Sequence, residues 1–139
     1  MKEQLIVFFP PYKKSHFYQL MGPFFAERIY QKQFPYLVNS SDCYWYVIVD
    51  QLNQVIAFSY YEKKAARIEI GEFYEKEPTE DRKTLLLRKM LYDIRKRHPD
   101  QEITATTNHP DEVAVFQMKG FAVFRQTKNY YFLKRECSI

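Results

Sequence analysis

Glycine is scarce in this sequence: Gly22, Gly71 and Gly120 are the only three among 139 residues. Loops that cradle phosphates on bare backbone N–H groups, of the GxxxxGK or GxGxxG kind, need closely spaced glycines, and neither pattern is present. Cysteine is rarer still. Cys43 and Cys137 stand far apart, without CxxC or metal-ligand spacing, and read as thiols in a reducing compartment. His16, His98 and His109 are isolated from one another, so neither a metal cluster nor a catalytic triad is in view. No apolar stretch reaches the ~18 residues that span a bilayer. The run 5–9 stops at Pro10 and Pro11 instead of continuing as a leader, so a cytoplasmic protein without a membrane partner is expected.

Aromatic residues are plentiful. Twelve Phe and 12 Tyr help bring the aromatic share to 18%, so flat, bulky side chains should dominate the packing. Apolar residues at 46% and charged residues at 27% are ordinary for a globular chain. The length suits one domain over 1–139 with one substantial core. A net charge of +4 mildly favours an anionic partner: a nucleic acid, an acidic protein or the phosphates of a nucleotide cofactor.

Along the chain, 5–9 reads as a short strand and 13–21 as a helix, with Phe17, Leu20 and Met21 at helical spacing. Pro23 suits the first turn of a second helix over 24–33, with Phe24, Phe25 and Ile29 facing inward. Pro35 and the run Asn39, Ser40, Ser41, Asp42 mark a loop. Then come three strands, 44–49, 54–61 and 66–74. The first is apolar throughout, as in a strand covered on both faces, and Gly71 inside the third marks a bulge or a close backbone approach. A long helix over 79–97 has Thr79 as N-cap, Glu80 and Asp81 at its positive end, and Leu87, Met90, Leu91 and Ile94 as an apolar stripe. His98 ends it, where a cation suits the helix dipole. A strand at 102–106, a helix at 111–118 and strands at 121–125 and 130–134 close the chain. The order β-α-α-β-β-β-α-β-α-β-β implies an α/β fold with a mixed (α+β) sheet and helices packed on it.

Three local features give this order a familiar shape. They are the hairpin at 46–50 and 54–58, Gly71 in the third strand of the meander, and Asn108 followed by Phe116-Gln117-Met118-Lys119-Gly120-Phe121. Together they resemble the GNAT N-acetyltransferases, whose signature in the last region is Asn … Tyr-x-Lys-x-Gly-Phe. The resemblance covers roughly 44–135 by motif and the first 43 residues by element order. It implies acetyl-CoA as cofactor and direct attack of a primary amine, from a small molecule or a protein, on the acetyl group. It also implies backbone groups of Phe73, Tyr74 and Glu75 along the pantetheine arm, Asn108 bonded to that arm, and Arg82, Lys83 and Thr84 at the pyrophosphate.

The sequence departs from the family in three places. Ala57 stands where a Gly is usual. The turn before the long helix, 77–84, has no Gly, and Glu77, Glu80 and Asp81 put negative charge where phosphate would lie. Helix capping by Thr79, Glu80 and Asp81 accounts for that segment as well as a phosphate site does. Phe116 replaces the tyrosine that protonates the leaving thiolate and has no hydroxyl to offer. Tyr131 or its neighbour Tyr130 would have to act instead, against the plainer role of a packed strand tyrosine. Glu69 and Glu72 are the candidates for general base; they point to opposite faces unless a bulge at Gly71 re-registers them. The competing reading for both is a solvated strand residue.

Two other functions remain open. The missing glycines, the acidic helix start and Phe116 also suit a binding or regulatory module that keeps the scaffold without the chemistry. Arg88, Lys89, Arg95, Lys96 and Arg97, with Tyr44-Trp45-Tyr46, Tyr60-Tyr61 and Tyr130-Tyr131, sketch a stacking-and-phosphate surface for nucleic acid. An outer helix face and buried strand aromatics explain the same residues, so nucleic acid is not the expected partner. The aromatics would also support a homodimer edge, though no segment specifies one.

Overall fold

The computed structural model describes residues 3–34, 37, 39–78 and 81–135. Pro35, Thr79, Glu80 and Cys137, which carry a loop marker, the helix cap, an acid at the helix start and the second thiol in the sequence reading, lie outside them. Within them the order is β1 (Gln4–Phe8), α1 (Lys14–Ala26), α2 (Arg28–Gln33), β2 (Cys43–Val49), β3 (Val55–Lys63), β4 (Arg67–Ile70), β5 (Tyr74–Glu75), α3 (Asp81–Arg97), β6 (Glu102–Thr107), α4 (Pro110–Met118), β7 (Ala122–Gln126) and β8 (Tyr131–Arg135). One mixed sheet runs β1-β2-β3-β4-β6-β8-β7, with β5 paired to β3. Only the β4–β6 pair is parallel, and α3 makes the crossover between them. The expected α/β order is the one observed, except that the strand expected at 66–74 is two strands.

Over β2 and β3 both sheet faces are covered, and side-chain alternation sorts the residues between them. From β2, Tyr46 and Ile48 join the core under α3 and α4, with Leu87, Met90, Ile94 and Phe116. Trp45, Val47 and Val49 join a second core with Phe17, Met21 and Phe24 of α1. The continuous apolar run of β2 is the mark of a strand buried on both sides. The stripe expected on the long helix is the buried one. The Tyr46 hydroxyl, in the core, donates to Asp93 at 2.7 Å and ties α3 to the sheet. Trp45, Tyr46, Tyr60 and Tyr61 are all interior, so these aromatics form no stacking surface for bases.

The first helices differ from expectation. Pro23 lies inside α1 instead of opening α2. An interior proline costs about 3 kcal/mol. Phe17, Met21 and Phe24 lie on one stripe and are all buried, at about 1.5–3 kcal/mol each, which outweighs that cost only if the helix continues through Pro23. Gly22 eases the passage, because it brings no Cβ against the proline ring. The break falls at Glu27, whose N–H bonds the Pro23 carbonyl at 2.9 Å. Ile29, expected to face inward, is 68% exposed on the short α2. His98 also differs. Its ring stands edge-on to Tyr44 and Tyr61. Burial first, then the charges of Lys63 and Arg97, push its pKa below the ordinary value, which disfavours the helix-end cation.

Candidate functional site

Ile70 is the last residue of its strand to pair on both sides, with Tyr61 of β3 and Ala105 of β6. Pairing to β3 resumes at Tyr74↔Phe58. Three residues, Gly71, Glu72 and Phe73, therefore oppose two, Ser59 and Tyr60, which makes a β-bulge. Gly71 donates its N–H to the Tyr60 carbonyl at 2.7 Å. A Cβ on Gly71 would stand 2.2 Å from Cζ of the Tyr60 ring, and that ring is stacked on Trp45 at 4.3 Å. Only glycine fits there. After the bulge β5 returns to β3 alone, while β6 runs on with β8 as far as Thr107↔Tyr131. The sheet opens as a wedge between β5, which pairs with β3, and β6.

A cleft of about 720 Å³ opens at this wedge. Glu69, Glu72, Phe73 and Asn108 all line it, so the bulge brings both expected carboxylates to one cleft. Tyr60, Glu112 and Tyr130 line it as well. Tyr131 does not: its ring joins the core under α3 and α4, because alternation along β8 sends Tyr130 and Phe132 to the cleft and Tyr131 and Leu133 away from it. Tyr74 and Glu75 flank the wedge by their backbones. The Tyr74 ring is buried against Phe24 and Phe58, and burial, followed by Tyr30, pushes its pKa up to about 12.

Arg82, Lys83 and Thr84 sit in the first turn of α3 and do not line the cleft. Two of them already hold acids. Arg82 Nε donates to Glu3 Oε1 at 3.0 Å, and its Nη2 bonds the same oxygen. Lys83 Nζ donates to Glu112 Oε2 at 2.8 Å and lies 3.7 Å from Asp111. Burial alone would lower the Lys83 pKa. The bond and charge of Glu112, with Asp111 and Glu75, more than offset burial and hold the ammonium above its ordinary value. Glu112 also accepts from the Thr107 hydroxyl at 2.7 Å, so one buried carboxylate joins α3, α4 and the end of β6. Glu69 Oε1 is bonded by Arg67 Nη2 at 2.6 Å.

Sequence reasoning missed Glu112 and Tyr60. Glu112 lies four residues before Phe116, on the same helical face, so the motif residue itself pointed to a buried acid. Tyr60 carried no such signal; its alternation with Phe58 reads as packing alone. Phe116 is buried, with its ring between those of Phe73 and Phe121. Among the described residues no cluster of His, Cys, Asp and Glu could hold a metal, and no helix is long and apolar enough to cross a membrane.

No protein-family model matches the sequence, and no curated protein matches it. Solved structures do match. An acyl-CoA N-acyltransferase from Pseudomonas aeruginosa superposes with a TM-score of 0.76 at 12% identity, covering 96% of this chain and 99% of its own. An acetyltransferase of the GNAT family from Staphylococcus aureus gives 0.64 at 12% identity, over 97% and 100% of the two chains. The Campylobacter jejuni N-acetyltransferase PseH, in complex with acetyl coenzyme A, gives 0.61 at 14% identity, over 99% and 100%. At such identities the likeness is one of architecture, and in architecture this chain has the fold of the GNAT N-acetyltransferases.

Proposed function

We propose that this protein is an acyl-CoA-dependent N-acyltransferase that passes an acetyl group to a primary amine in the cleft between β5 and β6. The observation that carries this reading is the wedge at Gly71, which parts β5 from β6 beside a cleft lined by Glu62, Glu69, Glu72 and Glu112. A strand edge beside such a cleft offers N–H and C=O groups to an extended amide-bearing ligand, as an added strand would use them. The pantetheine arm is such a ligand. Backbone groups of Phe73, Tyr74 and Glu75 would hold it from one wall and Asn108 from the other.

The fit is good along this arm and thinner at the phosphates. With no glycine at the turn, Arg82 and Thr84 are the groups to meet a pyrophosphate, since Arg82 keeps N–H donors beyond those used by Glu3. Lys83 would contribute mainly as a charge, held as it is by Glu112. Acetyl-CoA, when bound, supplies an acyl group activated as a thioester. Glu69 and Glu72 would draw the ammonium form of the acceptor into the cleft and take its proton. Tyr131 has no part in this reading, since its ring lies on the other face of the sheet.

One observation favours a second reading. Arg82 and Lys83 are both engaged by acids of the protein itself, as they would be in a scaffold that binds a partner without coenzyme A. Isothermal titration with acetyl-CoA and with CoA separates the two. The enzyme reading expects binding below millimolar concentration, accompanied by a rise in thermal midpoint. No heat and no shift at millimolar ligand would leave the binding module as the account.

A further inference from the structure

Tyr60 is 6% exposed, and its ring is fixed on one side by Trp45. Its Cζ lies where a side chain on residue 71 would begin, so the hydroxyl on that carbon stands over the bulge, where β5 leaves β6. Tyr60 lines the cleft, yet its hydroxyl has no hydrogen-bond partner among the described residues. Tyr46 bonds Asp93 and half-buried Tyr12 bonds Asn39. The Tyr61 hydroxyl, in the core on the other sheet face, has no partner among the described residues either, but unlike that of Tyr60 it does not open on the cleft. The Tyr60 hydroxyl opens on the cleft, and phenylalanine would fill the same space without offering a donor there. Of the other cleft hydroxyls on β6, Thr107 is committed to Glu112 and Thr104 to the Ile68 carbonyl, while Thr106 is exposed to solvent.

We propose that the Tyr60 hydroxyl donates a hydrogen bond to the acyl oxygen of a thioester held in this cleft. The inference rests on the function proposed above and adds a residue to it. The phenol is kept as a donor: burial first, then the carboxylates of Glu72, Glu62 and Glu69, hold its pKa well above the ordinary tyrosine value. An oxygen is the natural acceptor, because a thioester sulfur accepts only weakly. A fixed donor aimed at the acyl oxygen would orient the carbonyl and stabilise the negative charge that develops there.

The test compares two ligands that differ only by the acyl group. Acetyl-CoA and CoA are titrated into the parent protein and into Tyr60→Phe, and the thermal midpoints of both proteins are measured without ligand. Tyr60→Phe should keep or slightly raise the midpoint. It should lose about three- to tenfold in affinity for acetyl-CoA and nothing for CoA, which has no acyl oxygen. Equal affinity of the two proteins for acetyl-CoA, or an equal loss for both ligands, would overturn the inference while leaving the proposed function standing. A parent protein that binds neither ligand would overturn both.

Discussion

Replacing Gly71 by alanine should cost about 1–3 kcal/mol of stability, although it adds a single methyl group. The new Cβ would meet the Tyr60 ring at 2.2–2.5 Å, and the ring has little room to retreat. Trp45 backs it at 4.3 Å, and the backbones of the two residues are locked by the 2.7 Å bond from Gly71 N–H to the Tyr60 carbonyl. Either the bulge or the aromatic core must shift. Moving the bulge would alter the wedge, so binding at the cleft should weaken with stability. The same substitution in a Tyr60→Leu background should be much milder, because the two residues are in contact and their effects do not add. Urea unfolding of the four proteins checks this. A Gly71→Ala variant within about 0.5 kcal/mol of the parent would mean that the contact is not tight.

Lys83→Met should be at least as damaging, at about 3–5 kcal/mol, because it leaves the Glu112 carboxylate buried without its cation. The side chains of Lys83 and Glu112 are only 12% and 7% exposed, so solvent screening gives little relief. Thr107 would still donate to Glu112 but cannot balance its charge. Adding Glu112→Leu to Lys83→Met should recover much of the loss, since an apolar pair of similar size often matches a buried ion pair. The pH dependence has a definite sign. The folded-state pKa of Lys83 is raised, so the stabilisation is full below the ordinary lysine pKa and fades only as pH rises through the higher folded value. The gap between parent and Lys83→Met should therefore hold through neutral pH and narrow in strong alkali. A variant as stable as the parent at pH 7 would remove Glu112–Lys83 as the junction of α3 and α4.

The element order and the main stripe on α3 were legible because period-2 and period-3.6 patterns survive in single residues such as Tyr46, Val47 and Leu87. The bulge was legible too, since one glycine inside an apolar strand of a glycine-poor chain calls for a local reason. The α1–α2 boundary was not. Pro23 reads equally well as a first-turn residue, and what decides is tertiary burial of Phe24 on the stripe of Phe17 and Met21. The site was half legible. Glu69, Glu72, Phe73 and Asn108 gather at the cleft, but sequence alone does not show that Lys83 is claimed by an acid 29 residues away or that Arg82 is claimed by Glu3. Nor does it fix which of Tyr130 and Tyr131 faces the cleft, because a register shift of one residue exchanges them.

Amide chemical-shift mapping of the whole chain during titration with CoA tests the central claim most directly, because it reports where the ligand sits as well as whether it binds. The account predicts the largest shifts at Phe73, Tyr74 and Glu75 on one wall of the wedge and at Thr107 and Asn108 on the other. Shifts confined to other surfaces, or none at millimolar CoA, would contradict it.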